Sequence, residues 1–138
     1  MKEGEKAVID YLLEQYRENY RRQKEVEYGR VLQLMNTGEI ELENGEKPEE
    51  AVRDYSWNPY NDDFPNLNAE PACLWLEAKT AADTYKDCLR RLLKNNNTVD
   101  FSKLLDAAHE ADEEAYANIL EEKVIIPASM SDNWLNLI

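Results

Sequence analysis

The sequence predicts a mainly α protein, built as a three-helix, bundle-like single domain with a central helical hairpin and an irregular acidic insert. Apolar residues recur at three- and four-residue steps in three segments, as on the buried face of a helix. The length of 138 residues is typical of one domain with a substantial core. Between the first two periodic segments the chain is instead rich in Asn, Pro and Asp, which are residues that favour turns.

Residues 2–36 are predicted to form one long helix or two short ones. The apolar stripe begins with Val8, Tyr11, Leu12, Tyr16 and Tyr20, and it resumes with Tyr28, Val31, Leu32 and Met35. The two parts are out of phase on a straight helix, so we expect either a bend near Gly29 or middle turns that project into solvent. Gly38 is expected to end the helix.

The insert is predicted over residues 37–68. Alternating polar and apolar residues at 39–43 predict a short strand or an extended arm, and Asn44-Gly45 predicts a turn after it. A short helix is expected over about 48–55, with Pro48 in its first turn. Residues 56–68 are expected to form an ordered loop that buries some of its apolar side chains, namely Trp57, Tyr60, Phe64 and Leu67.

The second and third helices are predicted over 69–95 and 98–123, and so short a link predicts that they form the central antiparallel hairpin. The second stripe is read as Leu74, Ala78, Ala81, Tyr85, Cys88 and Leu92, widened by Trp75, Ala82, Leu89 and Leu93. The third is read as Phe101, Leu104, Leu105, Ala108, Ala111, Ala115 and Ile119. The tail, 124–138, is expected to dock on the core or on another molecule, with oligomerisation through Trp134, Leu135, Leu137 and Ile138.

Charge is the strongest compositional signal. The net charge is −13, distributed as about zero over 1–35, −8 over 36–72, +2 over 73–97 and −7 over 98–138. This sign argues against direct binding to nucleic acid and against attraction to an anionic membrane. It favours a basic protein partner. The competing interpretation is that the acidity serves solubility alone.

No catalytic, metal or cofactor site is predicted, so the protein is expected not to be an enzyme. The chain has one histidine, His109, which shares a helix face with Glu113, but a zinc-protease motif needs a second histidine. Cys73 and Cys88 lie on or beside a buried stripe, too far apart on one helix for a disulfide. Reduced thiols, together with the lack of a signal peptide or an apolar span, predict a soluble cytoplasmic protein.

Two kinds of charged surface remain. The basic patch of Lys86, Arg90, Arg91 and Lys94 either grips phosphate or an acidic partner, or it complements its helix dipole and pairs with the acidic third helix. Acidic side chains, with aromatic anchors among them, are predicted to bind the partner: Glu43, Glu46, Glu49, Glu50, Asp54, Trp57, Tyr60, Asp62, Asp63, Glu110, Asp112, Glu113 and Glu114.

Spaced carboxylates can imitate a run of phosphates and occupy the basic groove of a nucleic-acid enzyme. The sharpest functional prediction is therefore an inhibitor of a nucleic-acid-processing enzyme such as a nuclease. Phage or mobile-element anti-defence proteins and nuclease immunity proteins are examples of this type, by analogy alone. The alternative is a structural or assembly adaptor that acts through its helical faces and apolar C-terminus.

Overall fold

A computed structural model describes residues 3–55, 57–59, 70–95, 101–124 and 126. The elements are α1 (Glu3–Asn36), α2 (Pro48–Ala51), a 3₁₀ turn (Val52–Asp54), α3 (Glu70–Asn95) and α4 (Ser102–Leu120). The predicted mainly helical class is confirmed. Within these ranges, no helix combines the length and the apolar character that a membrane crossing requires.

The long helix α1 is the centre of the fold. Its N-terminal part packs with Leu89 of α3 and Leu104 of α4, and its C-terminal part packs with Trp75 of α3 and Ile119 of α4. Thus α3 runs antiparallel to α1, and α4 runs parallel to it. The predicted hairpin is correct in direction, since α3 and α4 run oppositely. Both helices, however, pack mainly against α1 and have few close backbone contacts with each other, so the predicted hairpin is not the centre of the bundle.

Two core clusters divide the apolar residues of α1. Ile9 and Tyr16 belong to one cluster, whereas Val26, Val31 and Met35 belong to the other. Both clusters include residues of α3 and α4, so the two parts of α1 pack against the same two helices at different heights, and α1 continues through Gly29 without an interruption. Val8 and Tyr11, which the sequence stripe included, are exposed, because Ile9 is the residue that points into the core.

The buried face of α3 lies on one side of the predicted wide stripe. Its buried residues include Trp75, Ala82, Leu89 and Leu93, whereas Leu74 is 37% exposed. The large indole of Trp75 gains most from burial, and placing it inside turns Leu74 and Cys88 outward. Cys73 and Cys88 are both free, as expected, but both are exposed, so the prediction that they lie on or beside a buried stripe is wrong.

Of the two alternatives predicted for 39–43, the strand is wrong, since the described residues contain no strand. Gly38, at φ +82°, ends α1, and Gly45, at φ +87°, supports the predicted turn. The chain then enters α2 through Lys47 and Pro48, so no second strand is available for pairing. The alternation nevertheless appears in burial: Ile40 and Leu42 pack against the core, and Glu39, Glu41 and Glu43 are exposed.

Helix α4 ends three residues before the predicted boundary at 123. The Lys123 N–H donates to the Asn118 carbonyl at 2.9 Å and the Glu122 N–H donates to the Ile119 carbonyl at 3.2 Å. This is a Schellman-type C-cap, which requires a left-handed residue after the helix. Glu122 occupies that position at φ 58° although it is not a glycine.

Candidate interaction surface

Residues 39–54, which we call the acidic arm, carry seven carboxylates and two cations. The arm packs on the C-terminal half of α1 through buried Ala51 and Val52 and partly buried Ile40 and Leu42. Its backbone is therefore held in place. Most of its carboxylates point to solvent: Glu39, Glu41, Glu43, Glu49, Glu50 and Asp54.

The exposed carboxylates of the acidic arm have no cationic partner within the described part of the chain. Glu46 is partly buried, and it accepts a hydrogen bond from the Glu43 backbone N–H at 2.9 Å. The arm thus presents a row of like charges that folding leaves uncompensated.

The acidic residues of α4 are placed differently. Asp112 and Glu113 pair with Arg53, at 3.5 Å and 3.0 Å, and Glu114 pairs with Arg17 at 3.0 Å. Glu110 lines a cleft that also contains Arg17. The sequence grouped these four acids with the arm as one binding surface. The structure places Asp112 and Glu113 beside the arm, in contact with its Arg53, but three of the four α4 carboxylates differ from the exposed arm acids in being engaged by cations of this chain.

Arg53 fastens the acidic arm to α4. Its guanidinium lies 4.0 Å from the centroid of the Tyr116 ring, and the Tyr116 hydroxyl donates a hydrogen bond to the Glu49 carbonyl. Beside it, the Tyr28 hydroxyl donates to Asp112. Burial, and then this hydrogen bond to a carboxylate, raise the pKa of Tyr28, so the phenol stays protonated and remains a donor. These contacts hold the arm at a fixed position against the bundle.

Trp57 does not serve as an exposed aromatic anchor. Its side chain is 4% exposed and belongs to the same core cluster as Val52 and Trp75. A large apolar ring gains more from burial in its own core than from exposure to water. Tyr60, Asp62 and Asp63 lie outside the described residues, as do the predicted tail contacts Trp134, Leu135, Leu137 and Ile138.

The sequence did not identify Glu25 as a buried charge. It is 4% exposed, and its carboxylate accepts hydrogen bonds from Arg21 Nη1 at 3.0 Å and Asn118 Nδ2 at 3.0 Å. The i, i+4 spacing of Arg21 and Glu25 indicated a helical ion pair, but Asn118 is distant in sequence and gave no signal. Because a buried charge must be paired, this group stabilises the α1–α4 contact and is not available to a partner.

Two clefts lie along α1. One, of about 310 Å³, lies between α1 and α4 and is lined mainly by charged residues: Asp10, Glu14, Arg17, Lys103, Asp106 and Glu110. The other, of about 410 Å³, lies beside Val26, Leu74 and Ile126. Among the described residues, no group of three or more potential ligands is arranged to hold a metal ion, and His109 is exposed.

Comparison with protein-family models, with curated proteins and with solved structures gives no match for this chain. The surface itself is therefore the evidence for function. Its main feature is the difference between the acids of α4, most of which are paired internally, and the exposed acids of the acidic arm, which are not.

Proposed function

We propose that this protein is a non-enzymatic interaction protein whose acidic arm binds a basic partner. In its sharpest form, the proposal is that it inhibits a nucleic-acid-processing enzyme such as a nuclease. The observation that supports it is the row of exposed carboxylates at 39–54, which lack cationic partners among the described residues although their backbone is anchored.

A basic partner would relieve the mutual repulsion of these carboxylates. Exposed ion pairs are individually weak, at about 0–1 kcal/mol each, so several must act together. Anchoring through Val52 and Arg53 means that little backbone order has to be gained on binding, which lowers the entropic cost. Clustered charge of one sign also accelerates encounter with a partner of opposite sign and makes it strongly salt-dependent.

The inhibitor form of the proposal depends on the nature of basic protein surfaces. Enzymes that process nucleic acid carry basic grooves that bind phosphates, and a row of carboxylates presents charge of the same sign as phosphate. Occupation of the groove would compete directly with the substrate. We further propose a cytoplasmic location, which is consistent with two exposed free thiols.

The experiment is affinity capture from a lysate of the source organism, or of its host if the chain comes from a mobile element, with washes of rising salt. An arm variant, Glu43→Gln/Glu49→Gln/Glu50→Gln, removes three of the exposed charges. A distal control, Asp10→Asn/Glu77→Gln/Asp106→Asn, removes the same charge from exposed carboxylates outside the arm. We expect the wild type and the distal control, but not the arm variant, to capture a basic protein that high salt releases.

Competition then tests inhibition directly. Double-stranded DNA should displace the captured protein from the wild-type chain, and the chain should slow nucleic-acid processing by that protein. If the arm variant captures as well as the distal control does, charge on the arm does not carry the interaction and the proposal is wrong. If the partner is bound but DNA does not compete, the inhibitor form alone is wrong.

The adaptor function remains the second candidate, because large apolar side chains are exposed on the helical faces. Tyr11 is 58% exposed on α1 and Leu105 is 70% exposed on α4. An adaptor that uses these faces should bind its partner in high salt and tolerate the arm variant. It should lose binding with Tyr11→Ser/Leu105→Ser.

A further inference from the structure

A basic strip lies on the last turns of α3. It consists of Lys86, Arg90, Arg91 and Lys94, of which the last three are exposed and Lys86 is partly exposed. The four-residue spacing of Lys86, Arg90 and Lys94 places them along one face of the helix. The expectation that these cations pair with the acidic α4 is not met, since none of them forms an ion pair within the described residues.

The basic strip and the acidic arm lie at opposite ends of the bundle. The strip flanks Leu89 and Leu93, which pack with Ile9 near the start of α1, whereas the arm packs near Val31 and Leu34. At about 1.5 Å per residue, the 22 residues from Ile9 to Val31 span roughly 30 Å. Since the Debye length is about 8 Å at physiological ionic strength, the two surfaces do not neutralise each other within one molecule.

We propose that the basic strip binds the acidic arm of a second copy of this chain, so that copies associate head to tail. Each copy carries both complementary surfaces, and using one leaves the other free. Such an interface is heterologous, and copies can add in sequence without closing into a symmetric dimer. The proposed assembly does not depend on the proposed basic partner, although both would use the acidic arm and would therefore compete for it.

The acidic arm is a better counterpart for the strip than the cleft between α1 and α4. Four carboxylates line that cleft, but Arg17 and Lys103 line it too, and Arg17 is 2.7 Å from Glu14. In the arm the two cations are Lys47 and Arg53, and Arg53 is already engaged by α4. The arm therefore has more uncompensated negative charge with which to meet the strip.

Exposed ion pairs are weak and are screened by salt, so the association should be tested at both low and high ionic strength. We would measure the sedimentation of concentrated protein at about 0.01 M salt, where the Debye length is about 30 Å, and at about 1 M, where it is about 3 Å. We expect concentration-dependent association of the wild type at low salt and monomers at high salt. Wild type that stays monomeric at low salt would overturn the inference and leave the proposed function standing.

Two neutralised variants identify the surfaces. The arm variant Glu43→Gln/Glu49→Gln/Glu50→Gln keeps the strip, and a strip variant, Lys86→Gln/Arg90→Gln/Lys94→Gln, keeps the arm. Each should be monomeric alone. Mixed together, they should form a one-to-one dimer that cannot grow, because one arm and one strip remain intact. Pairing in the mixture also shows that both variants are folded.

The sign of the change in association distinguishes the proposed contact from non-specific electrostatic repulsion between copies. Removing three carboxylates from a chain with a net charge of −13 lowers the repulsion between copies, so non-specific electrostatics would strengthen association. The arm variant should instead weaken it. The distal control Asp10→Asn/Glu77→Gln/Asp106→Asn, with the same change in charge, should associate at least as well as the wild type. Association that persists in both the arm and strip variants would assign self-contact to other surfaces and refute the inference.

Discussion

Replacing Gly29 with alanine tests the close approach between α1 and the segment after α4. A Cβ at this position would lie 2.5 Å from Ile126 Cγ1, 3.2 Å from Ile126 Cβ and 3.4 Å from Ile119 Cδ1. In a helix interior, Gly→Ala ordinarily stabilises by about 1 kcal/mol. Overpacking typically costs about 1–3 kcal/mol, so we expect a net loss of up to about 2 kcal/mol in the free energy of unfolding.

Urea denaturation followed by circular dichroism measures this loss, and two comparisons identify its cause. Gly4→Ala is in the same helix, and a Cβ there would meet no atom within 4 Å from the rest of the described residues, so it should be neutral or stabilising. In an Ile126→Ala background, Gly29→Ala should become stabilising, because the obstructing side chain is gone. If Gly29→Ala stabilises the wild-type chain as much as Gly4→Ala does, the approach of Ile126 to α1 is wrong.

Three further predictions concern individual groups. Glu122→Gly should stabilise the protein by up to about 1 kcal/mol, because glycine adopts the left-handed backbone of this position without strain. The control Glu121→Gly, at φ −87°, should destabilise it by about 0.5–1 kcal/mol. Equal effects of the two changes in urea denaturation would contradict this. Arg53→Ala should lower the free energy of unfolding by about 1–2 kcal/mol in the same assay and should speed proteolysis within the acidic arm. An unchanged cleavage rate would show that Arg53 does not fasten the arm. Burial raises the pKa of Tyr16 to about 12 and also raises that of Tyr28. These two phenols therefore ionise in the unfolded chain near pH 10, before they ionise in the folded chain. The free energy of unfolding should fall above that pH, by at most about 1.4 kcal/mol per pH unit for each tyrosine. Ultraviolet titration of single Tyr→Phe variants would refute this if either phenol ionises near pH 10.

Periodicity predicted the helices well because burial of an apolar face is a property of local spacing. The bounds of α1 and α3 agree with the predicted 2–36 and 69–95 to within one residue. The rotation of α3 was not predictable in the same way, since its apolar residues cover a wide arc. Which side of that arc faces α1 depends on the volume that Trp75 fills between the helices, and that volume is a tertiary property.

The candidate site shows a similar division between local and tertiary information. Counting charges identified the segment whose acids are exposed and lack ion pairs within the described residues, because its side chains have few local cations to meet. Counting could not show that Arg53 would reach Asp112 and Glu113, which are 59 and 60 residues away along the chain. Two expectations stood for Trp57, burial by its loop and exposure as an anchor, and burial is confirmed; the sequence left both open because an aromatic residue in a polar loop is compatible with either environment.

The net charge of −13 therefore has to be divided before it is interpreted. Four carboxylates form ion pairs with cations of this chain: those of Glu25, Asp112, Glu113 and Glu114. The Glu25 pair lies within α1, and the other three join α4 to α1 or to the acidic arm. No ion pair within the described residues accounts in this way for the exposed acids at 39–54 or for the cations at 86–94, although Lys94 also complements the dipole in the last turn of α3. Clustered like charges at either end of the bundle repel one another, and a partner of opposite charge would relieve that repulsion. The surfaces that stability does not require are accordingly the ones on which partner binding should be tested.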